Sequence, residues 1–242
     1  MEENSEKAGL FHIDLSDIEG ARCYCSPEAR EIAVSLVADM PVAAVHKIGS
    51  GNYHYVTELF MERIGEPFML VLLDHHTDML PPRFGGDIMS CGGWVREALD
   101  NNDMLKKVAI IGFSDDSEEE IGPGYRSDVI AVTESEVALR GCRDIDIKKI
   151  VDAFPDLPVY LSIDTDVLGI DYAVTDWGNG TMTLPVLLDY LKAVCAQKRV
   201  LGADICGKNT HSVKEVCDCN ASIINERTER EIVSVLKNNI NV

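Results

Sequence analysis

LVLLDHHTDM, residues 70–79, runs from an aliphatic stretch straight into Asp74, His75, His76 and Asp78. A strand-length run with no polar alternation reads as a strand buried on both faces, which is the habit of parallel sheets covered by helices. Working outward, PVAAVHKI (41–48), FMLVLLD (68–74), VAIIGFS (108–114), DVIAVT (128–133), PVYLSID (158–164) and RVLGADI (199–205) share this pattern. Helical stretches separate them: SPEAREIAVSLVADM (26–40), YHYVTELFMERIG (53–65), GWVREALDNN (93–102), DIDIKKIVDAF (144–154), TLPVLLDYLKAVCAQK (183–198) and RTEREIVSVLKNN (227–239). Alternating strands and helices predict a three-layer α/β/α sandwich around a mainly parallel sheet. SDDSEEEIGPGYRSD (114–128) reads as a solvated loop.

Residues 1–242 form one α/β domain in this reading, since 46% hydrophobic residues suffice for one large core and no composition shift marks a boundary. A net charge of −19 argues against nucleic acid and anionic membrane surfaces as partners, and is compatible with metals or small cationic or neutral molecules. The start, MEENSEKAGL, is acidic where a secretory leader would be basic and then apolar, and no apolar stretch has transmembrane length, so a cytoplasmic protein is expected. The eight cysteines are scattered, mostly in apolar stretches, and read as reduced core thiols. The CxC pairs Cys23/Cys25 and Cys217/Cys219 are weak signals for structural zinc.

In sheets of this kind ligands bind outside the carboxyl ends of the strands. Three strands here run into polar clusters: IGSGNYHYVT, LLDHHTD and LSIDTD. Alternation in extended chain would place Asp74, His76 and Asp78 on one side and His75 on the other, with Asp164 and Asp166 paired by the same spacing. His54 follows Gly49 and Gly51, which let the backbone turn before a helix. Four converging carboxylates repel one another unless cations intervene. Two divalent ions would neutralise them, and a carboxylate and imidazole set without thiolate suits manganese first. Ions roughly 3.5–4 Å apart can share a hydroxide that acts as a hydrolytic nucleophile near neutral pH.

Together, GNYHYVT with His54, DHHTD with Asp74, His76 and Asp78, and SIDTD with Asp164 and Asp166 resemble, in the same order, the motifs of the ureohydrolase family, which includes arginase, agmatinase and formimidoylglutamase. The resemblance spans roughly residues 40–210. It implies a metal-dependent hydrolase of C–N bonds, in an arginase-like fold with two Mn²⁺ ions bridged by Asp74 and Asp164. His54 and Asp78 would complete one ion, His76 and Asp166 the other. Relatives commonly form trimers or hexamers, so the resemblance also implies a homo-oligomer. The departures concern proton transfer and substrate. SCGGWVREAL places Cys91 at the family's proton-shuttling His, Leu80 stands where arginase has an Asn, and GADICGKN puts Gly207 where a guanidinium-pairing Glu is expected. Burying an uncompensated guanidinium is costly, so a small guanidino, amidine or linear amide other than arginine is the expected substrate.

The family's Asp-Pro step after the third motif is also missing. In VLGIDYAVTDWGNGTMT, residues Asp171, Asp176, Trp177 and Asn179 would either wall a pocket or serve turns. Candidate catalytic residues are Asp78, as the acceptor orienting the hydroxide, His211, as a replacement shuttle from the loop KNTHSVKE, and Cys91, whose role as packing thiol, redox liability or substrate contact the sequence leaves open. His75 is expected to support the site and His46 to lie in the core. Two rival readings stand beside the hydrolase: a catalytically silent, metal-stabilised binding or regulatory protein on the same fold, and a deacetylase-like enzyme holding one zinc by two Asp and one His.

Overall fold

A computed structural model describes residues 8–83, 88–141, 144–153, 156–209 and 219–240. Its centre is a seven-stranded sheet built from β1 (Gly9–His12), β3 (Ala44–Lys47), β4 (Phe68–Leu73), β6 (Leu105–Phe113), β7 (Val129–Thr133), β8 (Val159–Asp164) and β9 (Val200–Cys206). Every pairing in it is parallel and the spatial order is β1-β3-β9-β8-β4-β6-β7. A short antiparallel ribbon joins β2 (Tyr24–Cys25) to β5 (Met89–Ser90).

The sheet is buried on both faces because its side chains alternate between two separate cores. From β4, Leu70 and Leu72 join a cluster with Ala29, Ala33, Val56, Phe60 and Trp94 of α1 (Pro27–Val37), α2 (Val56–Met61) and α3 (Trp94–Asn101). Met69, Val71 and Leu73 point the other way. They pack in the cluster of α5 (Glu134–Arg140), α6 (Asp144–Ala153), α7 (Leu184–Gln197) and α8 (Cys219–Lys237). The layers are therefore helix, parallel sheet, helix, as the continuous aliphatic runs require.

All six strands expected from apolar runs are present. The edge strand β1 was not anticipated, since GLFH is short and half polar and lies at the margin of the sheet. Helix α5 was also unanticipated, although its signal was legible: Thr133 and Glu136 form a reciprocal capping box. The stretch expected to be a solvated loop folds instead as a 3-10 segment, Asp115–Ile121, followed by the single turn α4 (Gly122–Tyr125). Among the described residues no helix is long and apolar enough to cross a membrane.

Candidate metal centre

The four central neighbours β3, β9, β8 and β4 all end on the same side of the sheet, and the polar clusters gather there. After β3, Gly49 takes φ +87° and Ser50 caps a 3-10 turn, Gly51–Tyr53, by accepting from Asn52 N–H. His54 follows as the buried C-cap of that turn. Gly51 has a specific reason to lack a side chain, because a Cβ there would lie 2.8 Å from Asp164 Oδ2.

Beyond β4 the chain leaves extended geometry, so pleat alternation is not what gathers the second motif. Asp74 Oδ1 accepts from the backbone N–H of His76 at 2.7 Å, and Asp78 sits at φ +50°, a left-handed conformation uncommon for a non-glycine. Asp164 does the same at the end of β8, accepting from Asp166 N–H at 2.9 Å to cap the 3-10 turn Thr165–Val167. In each motif one oxygen of the first Asp holds a turn while Oδ2 faces the neighbouring histidine. A turn role and a ligand role are compatible in these motifs, because a carboxylate has two oxygens.

All six predicted residues converge. His54 Nδ1 lies 3.0 Å from Asp78 Oδ2, 3.2 Å from Asp74 Oδ2 and 3.7 Å from Asp164 Oδ2. His76 Nδ1 lies 3.0 Å from Asp166 Oδ2 and 3.5 Å from Asp74 Oδ1. Asp74 thus faces both imidazoles, one through each oxygen. The donor atoms group as His54, Asp74 and Asp78, as Asp74, His76 and Asp166, and as His54, Asp164 and Cys206, each within the span of one ion's ligand set. Apart from His76 these residues are almost wholly buried. Four carboxylates, Asp74, Asp78, Asp164 and Asp166, face only two imidazoles there, and a cation in this nest would relieve their repulsion.

Supporting groups hold these side chains in place. His54 Nε2 lies 2.8 Å from Ser162 Oγ, which donates to Asp204 Oδ1 at 2.7 Å. That chain places a proton on Nε2 and leaves the Nδ1 lone pair for the nest. Trp94 Nε1 donates to Asp78 Oδ2 at 2.5 Å, and its ring lies 4.9 Å from that of His54.

Crowding shows in the acidities. Burial, with the neighbouring carboxylates, raises Asp164 to about 8 and Asp78 and Asp166 each to about 6. Burial opposes charge on the imidazoles, yet nearby acids outweigh it: Cys206, Asp74 and Asp78 hold His54 well above its usual value, and Asp166 and Asp74 lift His76 to about 12. Asp74, held by both imidazoles against the effect of burial, is shifted down. The raised carboxylates and imidazoles bind more protons folded than unfolded, so without metal they lose stability as pH rises. Within the nest only Asp74 opposes them, and its loss comes below the usual carboxylate range. Outside it buried His46, pushed down to about 4, also opposes them, against Glu58 and Asp204, which burial raises to about 9 and about 6. The melting temperature of the metal-free protein is therefore expected to fall as pH rises from about 4 to about 8, the window set by these carboxylates. The increment from added Mn²⁺ should grow over the same window. A metal-free melting temperature that is flat or rises there would contradict this account.

The nest forms the floor of a cavity of ≈ 260 Å³. Trp177 lies in its wall, with its ring 6.2 Å from that of His76 and Nε1 donating to Asn52 Oδ1 at 3.1 Å. Asn179 instead serves a turn by donating to Leu168 and Ala173 carbonyls, and Asp171 and Asp176 are outside the lining. His75 turns away to Glu134, 3.1 Å distant. His46 is a core residue stacked on Phe60 at 3.7 Å. The Cys23/Cys25 pair divides, Cys25 entering the core while Cys23 donates to Asn52 beside the cavity. His211, Cys217 and most of the loop that carries them lie outside the described residues. Sequence reading missed Glu120, Cys206, Trp94 and the Ser162–Asp204 pair. Only Ser162, inside SIDTD, carried a local signal.

Comparison with known proteins follows the same line. The Arginase family profile matches residues 46–213. The chain belongs to the arginase family. An uncharacterized protein of Thermotoga maritima is 33% identical over 192 residues, covering 79% of this chain and 68% of that one. The proclavaminate amidino hydrolase of Streptomyces clavuligerus has a similar structure, with a TM-score of 0.66 at 23% identity over 86% of this chain and 68% of that one. The Trypanosoma cruzi formiminoglutamase solved with Mn²⁺ gives 0.63 at 17% identity over 88% of this chain and 70% of that one. At such identities these structures establish the shared arginase-like fold, and the chain spans about two thirds of their length.

Against this arginase-family frame, the three departures take physical form. Cys91 lines the cavity, and its backbone N–H bonds Cys23 O at 2.8 Å. Burial, then the Asp78 charge, push its thiol well above the ordinary range, which suits a neutral wall residue better than a proton carrier. Leu80 is also in the wall. Gly207 stands at φ +101°, and a Cβ on it would lie 2.2 Å from Asp164 Oδ1. More than a missing carboxylate, Gly207 is a position where this backbone excludes any side chain.

Proposed function

We propose that this arginase-family protein is a binuclear, manganese-dependent hydrolase of a small guanidino, amidine or linear amide compound, with arginine excluded. The observation that carries the reading is the pair of imidazoles, buried His54 and part-exposed His76, each facing two or more carboxylates across the shared Asp74. His54, Asp78, Asp74 and Asp164 would hold one ion, and His76, Asp166, Asp74 and Asp164 the other. The ions supply electrophilic activation and a lowered pKa for water. Six converging donors exceed the two-Asp, one-His set of a single-zinc deacetylase.

The chain's own residues do the remainder. Ser162 and Asp204 fix the His54 tautomer. Trp94 fixes the Asp78 carboxylate in the cavity lining, where it would take a proton from water and return it to the departing nitrogen. Trp177 and Leu80 offer apolar walls for a small substrate, while Glu120 and Arg83 bring one charge of each sign to the lining. A bound amino-acid end would be read by these groups, since Leu80 supplies no polar side chain there.

The test is to load the full chain with Mn²⁺ and screen guanidino, amidine and amide compounds for release of urea, ammonia or amine. Turnover of any of them supports the hydrolase. Metal-dependent stabilisation with no turnover across the screen supports the silent scaffold instead. Ser162→Ala should leave the fold intact and weaken Mn²⁺ affinity roughly ten- to a hundredfold, the usual cost of losing the partner that orients a histidine ligand. Titration calorimetry would show it, and unchanged affinity would remove Ser162 from the centre.

A further inference from the structure

Cys206 ends β9 and is 1% exposed. Because β9 lies between β3 and β8, its last residue pairs in register with Asp164, the last residue of β8. Its Sγ lies 3.1 Å from Asp164 Oδ2, the same oxygen that is 3.7 Å from His54 Nδ1. Sulfur, oxygen and nitrogen lie within the span of one ion's ligand set, and the 3.1 Å contact is a hydrogen bond the thiol donates to Asp164 Oδ2, which aims the sulfur at the nest. Gly207, next in the chain, has no side chain to lie between sulfur and nest, and Thr165 Oγ1 donates to the Cys206 carbonyl at 3.0 Å.

We propose that Cys206 Sγ is an additional donor to the ion held by His54, Asp78, Asp74 and Asp164, so that this position selects a softer metal than the position of His76 and Asp166. The inference rests on the proposed binuclear centre. Thiolate favours zinc, cobalt and iron over manganese, whereas imidazole with carboxylates alone suits manganese. The two positions therefore differ: one is hard and oxygen-rich, the other carries sulfur. On binding, the thiol proton leaves to solvent and the sulfur lone pair forms the metal bond.

Cobalt reports the two ideas separately. Metal-free full-length protein titrated with Co²⁺ under anaerobic conditions should bind two ions per chain, seen by weak visible bands, and develop an intense near-ultraviolet thiolate-to-cobalt charge-transfer band. Zinc-edge X-ray absorption of the protein loaded with one Zn²⁺ should show a sulfur neighbour at about 2.3 Å. Cys206→Ser should keep both cobalt ions, lose the charge-transfer band and reduce the preference for Zn²⁺ over Mn²⁺ by roughly ten- to a hundredfold. Two bound cobalt ions without the band, or zinc without sulfur, would overturn the role of Cys206 and leave the binuclear centre standing. Failure to bind cobalt at all would overturn both. If that variant does not fold, Cys23→Ser and Cys91→Ser, the other thiols in the cavity lining, should each keep the wild-type band, and loss of the band in either would overturn the role of Cys206.

Discussion

Asp74→Asn is expected to abolish metal-dependent stabilisation and turnover together. Asp74 faces His54 through Oδ2 at 3.2 Å and His76 through Oδ1 at 3.5 Å, so it is the residue common to both halves of the nest. The amide removes one negative charge and turns an acceptor oxygen into a donor nitrogen. At about a hundredfold excess over the dissociation constant, one bound ion stabilises by about 2.7 kcal/mol. For a chain of this size that raises the melting temperature by roughly 5–10 °C. Calorimetric melts of wild type with and without Mn²⁺ should show that gap, and Asp74→Asn should close it. The metal-free variant is the proper baseline, since losing an acid beside two imidazoles has its own cost. Turnover should fall about a thousandfold or more, the equivalent of about 4 kcal/mol of lost transition-state stabilisation. A variant that keeps both the metal-dependent gap and its activity would end the binuclear reading.

Gly207→Ala should be the most damaging single methyl near the site. The added Cβ would lie 2.2 Å from Asp164 Oδ1, 2.5 Å from Thr165 Oγ1 and 2.7 Å from the Thr165 backbone nitrogen, at φ +101°. A β-carbon is disfavoured at that φ, and the neighbours are a capping carboxylate and a backbone turn that cannot move apart without dismantling each other. The expected cost is about 3 kcal/mol or more. Thermal melts should therefore drop by roughly 6–12 °C. Because Asp164 must shift, metal affinity should fall as well, and placing Glu at 207 should not create a guanidinium site. A Gly207→Ala protein melting within about 2 °C of wild type would show that the turn yields easily.

Much of the site was legible because its chemistry is local in sequence. DHHTD and SIDTD carry their own turns: the first Asp of each caps the next step of chain, and that cap brings the third residue back toward it. The convergence was thus foreseen for an incomplete reason, since strand alternation was credited with what two side-chain caps and the left-handed Asp78 accomplish. Glu120 was hidden differently. Its acidic run looked like solvated surface, yet Thr77 Oγ1 donates to Glu120 and the 3-10 segment lays it along the cavity.

The sequence by itself determined the layers and the residues gathered at the strand ends. Continuous aliphatic runs demand a sheet covered on both faces, and an acid or imidazole placed just past such a run has nowhere to go but the carboxyl edge. Which strand ends stand side by side was decided only by the tertiary structure. The last strand to form in chain order, β9, inserts between β3 and β8, and this long crossover is what sets Cys206 against Asp164 and Asp204 behind Ser162 and His54. A parallel pairing joins segments far apart in the chain through backbone hydrogen bonds that every residue type can make, so no local pattern records which neighbour it chooses.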